Sequence, residues 1–197
     1  MNNRRALLDA AKSLVAAKGV KATSIAAIAA KAGVAKGLLF YYFKDKDSVI
    51  QAIAEELDAG YMAGLTAAVL AADQGGRPAL AGLHALIKHH FEFLEHVPEN
   101  AQFLYQSAAA GSADSVAGFY EHLHARIVAL LDQGSRNGEF VVQDVEEMAF
   151  MLLGSLHGVG RLKLFEFKRE YDAARHLAAF YEKVLLGQEE AQGHSES

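Results

Sequence analysis

Cysteine is absent from the 197 residues. That removes structural disulfides, thiolate metal sites, thiol nucleophiles and thiol redox switches together. Proline is nearly absent as well, with Pro78 and Pro98 alone interrupting the chain, and β-branched residues are few: Val, Ile and Thr total 21, against 37 Ala and 24 Leu. Helix formers dominate, so an all-α fold is expected. Long apolar runs are missing too. The most apolar stretch, Met148 to Gly160, is 13 residues long, contains His157 and is followed at once by Arg161, short of the ~20 residues a bilayer span needs. Met1 to Leu8 has no apolar run after Arg4 and Arg5 and no small-residue cleavage site. A soluble, cytoplasmic protein is the expectation.

Recognisable catalytic machinery is also lacking. No HExxH, no glycine-rich phosphate loop and no motif pairing a nucleophile with a base occurs, so neither an enzyme nor a bound cofactor is expected. His89, Glu92 and His96 fall at i, i+3 and i+7 and could form a metal face. With no cysteine and no further ligand in register they read as a solvated face, and no metal site is expected.

The length suits one domain or two small ones. The net charge of −5 conceals an asymmetry: residues 1–50 hold nine Lys/Arg against three Asp/Glu, net +6, while the remainder holds ten against twenty-one, net −11. A basic head on an acidic body points to a polyanion partner for the head.

Periodicity divides the chain into about nine helices. The first runs from about Asn3 to Lys18 with Gly19 as its stop. Ser24 can cap a short second helix ending at Gly33, and a third spans about Ala35 to Phe43. Asp45 is positioned to cap a long fourth helix from Lys46 to about Ala72. Residues 74–78, Gln-Gly-Gly-Arg-Pro, read as a linker, and Pro78 opens a fifth helix that Pro98 stops near His96. A sixth segment, Glu99 to Ala110, ends at Gly111-Ser112. Three longer helices are expected over Asp114 to Arg136, Asp144 to about Phe167, and Tyr171 to Leu186, followed by a polar tail, 188–197, expected to be disordered. Two short helices joined by a glycine turn make a helix-turn-helix candidate.

On a helical wheel of about 100° per residue, Leu39 and Phe43 fall together, while Gly37, Phe40 and Tyr41 form a separate patch beside Lys36, Lys44 and Lys46. Exposed rings among ammonium groups make sense on a surface that meets a partner. Glycine permits close backbone approach, rings can contact thymine methyls or sugars, and lysines displace counterions from phosphates.

The run TSIAAIAAKAGVAKGLLFYYFKDKD over residues 23–47 resembles the DNA-binding segment of TetR-family transcriptional regulators. The likeness extends over about 45 residues, from the first helix into the fourth, and the length and helix number suit that family's layout. It implies that Thr23, Ser24, Tyr42 and Lys46 meet phosphates. It also implies that Lys36, Gly37, Leu38, Phe40 and Tyr41 lie in the major groove of double-stranded DNA. Ile28, Ala29, Gly33, Val34, Leu39 and Phe43 match packing positions. Ala35, Leu38 and Phe40 stand where hydroxyl residues are common in the family, so more apolar contact and fewer direct hydrogen bonds are expected there.

The implied organisation is a DNA-binding head, residues 1–46, and a helical effector-binding and dimerisation body, residues 47–187. His90 falls on the apolar stripe Leu83, Leu86, Ile87, Leu94, and His157 shares one with Phe150, Leu153 and Gly154. Each is either a hydrogen-bonded core histidine or a polar contact in a ligand cavity. With them, Phe91, Phe103, Tyr105 and Tyr120 are the candidate effector lining. A short recognition helix has too small a footprint for operator specificity, so a homodimer on an inverted-repeat operator is expected. The resemblance puts its contact on the last two long helices, with Gly154, Ser155, Gly158 and Leu162 facing Leu177, Phe180, Tyr181 and Val184. The expected function is a repressor released from its operator by a small molecule. The alternative is a DNA-binding adaptor whose body takes a protein partner.

Overall fold

The computed structural model describes residues 2–72, 76–110, 113–167 and 171–187, and all regular structure in them is helical. In order these are α1 (Asn3–Lys18), α2 (Ile25–Ala32), α3 (Lys36–Tyr42), α4 (Lys46–Ala72), α5 (Pro78–His96), α6 (Pro98–Ala109), α7 (Ala113–Arg136), α8 (Val145–Arg161) and α9 (Ala173–Leu185), with a π-helical turn at Leu162–Phe167. The expected tail at 188–197, the glycine linker's residues 74 and 75, and the Gly111-Ser112 stop lie outside the described residues.

Helix ends sit where side chains can satisfy the free backbone groups. The Asn2 side chain accepts from the Arg4 and Arg5 amides, Ser24 Oγ from Ala27, Asp144 from Glu147 and Asp172 from Arg175. Asp45 and Ser48 cap α4 reciprocally: the Ser48 amide donates to Asp45 Oδ1 at 2.8 Å and the Asp45 amide to Ser48 Oγ at 3.1 Å. Gly33 takes the left-handed conformation, φ 69°, that closes α2 and sets the sharp turn into α3. Pro78 and Pro98 occupy the first turns of α5 and α6, where a missing amide hydrogen costs nothing.

The eighth helix departs from expectation. Its α ladder stops at Arg161 rather than near Phe167, and the wider π winding follows. Gly160 lies against α5 and α6, where a Cβ would stand 2.5 Å from Leu94 Cδ1 and 2.7 Å from the Tyr105 hydroxyl. Beyond it the π turn lays Phe165 edge-on to Tyr105, with ring centres 5.6 Å apart, and brings the Lys163 ammonium to Glu95. Hydrophobic periodicity cannot register that change of pitch, because the apolar residues continue through it.

One hydrophobic core runs continuously from Leu7 in α1 to Leu185 in α9. α4, α5, α7 and α8 form its centre, α9 packs on α5, and α1 lies on α2, α4 and α6. The head is therefore tied to the body twice. Arg4 and Arg5 of α1 reach Glu56 of α4 at 3.0 and 3.1 Å, and Lys12 Nζ donates to Asn100 Oδ1 of α6 at 2.9 Å. Among the described residues no single helix is long and apolar enough to cross a membrane.

Candidate DNA interface and effector cavity

α3 is seven residues long and holds on through one side: Leu39 is fully buried and Phe43, just past its end, nearly so. The opposite side is open to solvent. Tyr41 is 79% exposed, Phe40 51% and Tyr42 38%, with Lys36 and Gly37 also exposed. Lys36 Nζ lies 5.8 Å from the Phe40 ring centre, and Tyr41 and Tyr42 meet edge-on at 5.0 Å. Adding a Cβ to Gly37 would meet nothing within 4 Å, so the backbone there is bare toward whatever docks. Ser24, exposed at the start of α2, retains its hydroxyl proton while its oxygen caps the helix. Leu38 is half-buried.

Two residues expected at phosphates are held differently. Thr23 is buried and its hydroxyl donates to the Gly19 carbonyl at 2.9 Å, so it closes the α1–α2 loop instead of facing outward. Lys46 Nζ donates to the carbonyls of Val20, at 2.9 Å, and Thr23, at 3.2 Å. Two of its three donors are spent fastening the same loop to the start of α4. The role of Lys46 leaves no trace in local sequence, since its carbonyl partners lie 26 and 23 residues away, whereas Thr23 bonds back only four residues to Gly19.

In the body, His90, Tyr105, Tyr120 and His157 come together around a small cavity of about 10 Å³, with Leu94, Ala101, Leu104 and Phe119 completing its wall. The Tyr61 hydroxyl lies 3.1 Å from His90 Nδ1. Tyr61 and His90 are both buried and share this hydrogen bond. The Leu156 backbone is the ring's second polar neighbour. Burial, reinforced by His157 and His89, pushes the His90 pKa down to about 3, so the ring is neutral. Burial raises the Tyr61 and Tyr105 phenols and pushes Tyr120 up to about 12, keeping all three protonated. The Tyr105 hydroxyl donates to the His157 carbonyl at 3.2 Å.

The other proposed lining residues are elsewhere. Phe150 is 72% exposed, on an outer face of α8 beside Met151 and His124. Its position on the His157 stripe was misleading, because the two residues are seven apart and the helix surface there turns from core to solvent. Phe103 is wholly buried as core and is not part of the cavity wall. Phe91 floors a different recess, an open groove of about 720 Å³ between α5, the π turn and α9. Sequence reasoning missed that groove, although His84, Lys88, Phe91 and Glu95 mark its α5 side at helical spacing. On its rim Lys88 pairs with Glu92 and Lys163 with Glu95, and His84 Nε2 lies 3.3 Å from Glu182. His89 is turned to the Tyr61 carbonyl at 3.1 Å and His96 to that of Glu92 at 2.7 Å.

On the proposed dimer face, Gly154, Leu162, Phe180 and Val184 are exposed, and Gly158 and Leu177 are half-buried. No heavy atom lies within 4 Å of a Cβ added at Gly154 or Gly158, so both leave open surface. Tyr181 corrects the expectation: it is buried, and its hydroxyl shares a 2.8 Å hydrogen bond with Ser155 within the same chain. The pair ties α9 to α8, which leaves Phe180 and Val184, one helical step away, to face outward.

A helix-turn-helix head with a basic, aromatic recognition helix, on a helical body with a buried polar cavity, defines a DNA-binding regulator. Residues 7–53 match the model of bacterial regulatory proteins, tetR family. Over 155 residues the chain is 26% identical to the HTH-type transcriptional repressor KstR2 of Rhodococcus jostii, covering 76% of this chain and 74% of that one. Over 54 residues, 27% of each chain, it is 39% identical to the HTH-type transcriptional regulator BetI of Cronobacter sakazakii. The fold is that of the transcriptional regulator FadR from Bacillus subtilis, solved in complex with stearoyl-CoA, with a TM-score of 0.78 at 20% identity over 94% of this chain and 99% of that one. Residues 7–53 thus resemble the DNA-binding segment of the tetR family, and the chain as a whole shares the fold of these regulators.

Proposed function

We propose that two copies of this chain bind an inverted-repeat operator as a repressor and leave it when a small molecule enters the body. The observation that carries the reading is the solvent-facing ring cluster of α3, with Lys36 beside it, on a helix anchored from behind by Leu39. Rings at that exposure stabilise nothing in the free protein. Lys36, Gly37, Phe40 and Tyr41 enter the major groove in this reading, with Ser24 and Tyr42 at flanking phosphates. The head ends where α4 begins, at Lys46. The dimer forms along Met151, Gly154 and Gly158 of α8 and Leu162 at the start of the π turn, with Phe180 and Val184 of α9, an apolar strip in which two glycines allow close helix approach.

The effector site is the cavity around His90. Similarity to a protein named as a repressor favours repression, and a neighbour of the same fold that holds stearoyl-CoA supports a body able to admit an apolar ligand. The test is selection of DNA from a random library with the purified chain, followed by fluorescence anisotropy on the enriched sequence. A two-fold symmetric site is expected, with binding lost in Tyr41→Ala. Met151→Glu combined with Phe180→Glu is expected to give a monomer that binds half-sites weakly. Enrichment of no sequence, or a monomeric wild-type chain at micromolar concentration, would overturn the reading.

A further inference from the structure

α3 reads Lys-Gly-Leu-Leu-Phe-Tyr-Tyr, a narrow set of side chains for a helix that meets base edges. Adenine is read by paired bonds to asparagine or glutamine, cytosine by a carboxylate that accepts from its amino group, and guanine by arginine or lysine. Of these α3 holds only Lys36, able to donate to guanine or to a phosphate, and it has no serine, threonine or histidine either. The base amino groups would meet no acceptor on its side chains but the phenol oxygens of Tyr41 and Tyr42.

What α3 offers outward is largely apolar. Ala35, its N-cap, is exposed and makes no side-chain capping bond, and the Phe40 ring is exposed one turn beyond Lys36 on the same face. Burial of Leu39 and Phe43 on the opposite side fixes the rotation of the helix, so the Phe40 ring stays turned outward. Gly37 keeps the first turn bare, which lets the backbone approach the bases and carries the ring to their depth. The apolar group that base edges present in the major groove is the C5-methyl of thymine. A ring seated on that methyl removes both from water, whereas a ring seated on an amino group would leave a polar atom without a partner.

We propose that each operator half-site is selected through a thymine methyl group seated against the Phe40 ring, so that at this base pair the methyl, and not the hydrogen-bonding edge, is what the protein reads. The proposal rests on the DNA-binding reading given above and adds the feature of the DNA that α3 selects. Burying one methyl changes affinity about fourfold. Two half-sites, far enough apart to act independently, multiply this to about fifteenfold.

The experiment uses the full chain and duplexes of the operator that selection returns. Deoxyuridine, which differs from thymidine by the methyl alone, replaces each thymine in turn, symmetrically in both half-sites. Anisotropy is expected to find a position where uridine weakens binding about fifteenfold. At that position 5-methylcytosine should bind severalfold more tightly than cytosine, because it restores the methyl on a different edge. Both effects should fall below about twofold in Phe40→Ala and persist in Phe40→Leu, which keeps an apolar side chain. Should Phe40→Ala bind too weakly to titrate, 5-iododeoxyuridine at the same position decides: irradiation of the wild-type complex is expected to crosslink it to Phe40, and a crosslink to another residue would overturn the proposal. If uridine is tolerated at every thymine of an enriched site, or the half-sites contain no thymine, the methyl reading falls while the DNA-binding reading stands. If the uridine penalty is undiminished in Phe40→Ala, another residue or the stiffness of the duplex senses the methyl, and the proposal falls. If selection enriches no sequence, the proposal and the DNA-binding reading fall together.

Discussion

Phe40, Tyr41 and Tyr42 stand in water on the head, while in the body Tyr61, Tyr105 and His90 are buried, the last two in the wall of a nearly vanished cavity. Both groups are aromatic and both carry polar tips, yet they signal function by opposite departures from the ordinary. In the head the apolar rings are where burial would stabilise them and do not have it. In the body the polar tips are buried and find partners within the chain, Tyr61 at His90 Nδ1 and Tyr105 at the His157 carbonyl. The exposed rings of the head are left for a partner outside the chain, whereas the buried tips tie helices of the body to one another.

The largest effect that tests this contrast is expected at Leu39, the single fully buried residue of α3. Leu39→Ala should cost ~3 kcal/mol and abolish operator binding. Amide hydrogen exchange would reveal where the cost falls. Faster exchange confined to α2 and α3, with α5 and α7 unchanged, means that the head unfolds locally. A lowered global transition without local opening means that the continuous core makes head and body one cooperative unit.

A somewhat smaller effect is expected from pH and belongs to the body alone. The folded-state pKa of His90 lies near 3, below its ordinary value near 6.5, so between those values the unfolded chain binds more protons than the folded one. Stability from this group is fully present above about pH 6.5 and falls as pH drops toward 3. From pH 7 to pH 5 the loss is ~2 kcal/mol, and His89 and His157, also lowered chiefly by burial, act in the same direction. Chemical denaturation at the two pH values should show a flatter dependence in His90→Leu. An unchanged slope would mean that the His90 ring is hydrated in solution.

Next comes Lys36, exposed beside the Phe40 ring. Lys36→Ala should weaken the operator complex roughly tenfold at moderate salt, and with two copies per site the slope of log affinity against log salt should fall by ~2. Loss of affinity with no change of slope would place the ammonium at a base edge and not at a phosphate.

The head was largely legible in the sequence because its structure is local. Ser24, Gly33 and Asp45 declare the ends of short helices within a few residues, and the wheel separates Leu39 and Phe43 from Phe40 and Tyr41 without knowledge of anything distant. What escaped even there were the local bond from the Thr23 hydroxyl to Gly19 and the long-range contact of Lys46 with Val20. In the body the starts of α5, α6 and α8 were equally legible from Pro78, Pro98 and Asp144, since caps are local too, whereas the end of α8 was not. The grouping of His90 with Tyr105, Tyr120 and His157 was anticipated from aromatic density. The placements of Phe150, Phe103 and Tyr181 were not, because which side of a long helix faces core, cavity or solvent depends on where its neighbours cross it. The π turn after Arg161 and the docking of α6 on α1 arise from packing alone.

That docking supports the smallest and most informative prediction. Lys12 Nζ and Asn100 Oδ1, 2.9 Å apart and partly buried, join the head's first helix to the helix that walls the cavity. Beside them Gly19 lets Gln106 of the same α6 approach the end of α1, its Oε1 lying 3.3 Å from where a Cβ would stand. Lys12→Met keeps the aliphatic stem and removes the ammonium, so the expected stability loss is only ~1 kcal/mol. Operator affinity without effector should change little, since Lys12 lies away from α3. The quantity that should move is the ratio of operator affinities with and without effector, which measures coupling between the sites. If α6 transmits the ligand's displacement to α1, that ratio shrinks severalfold in Lys12→Met and equally in Asn100→Ala. The double variant then adds nothing further, because both substitutions cut one link. Additive losses would show that the residues act separately. An unaltered ratio in all three would shift the transmission to α4, through Glu56 and its two arginines.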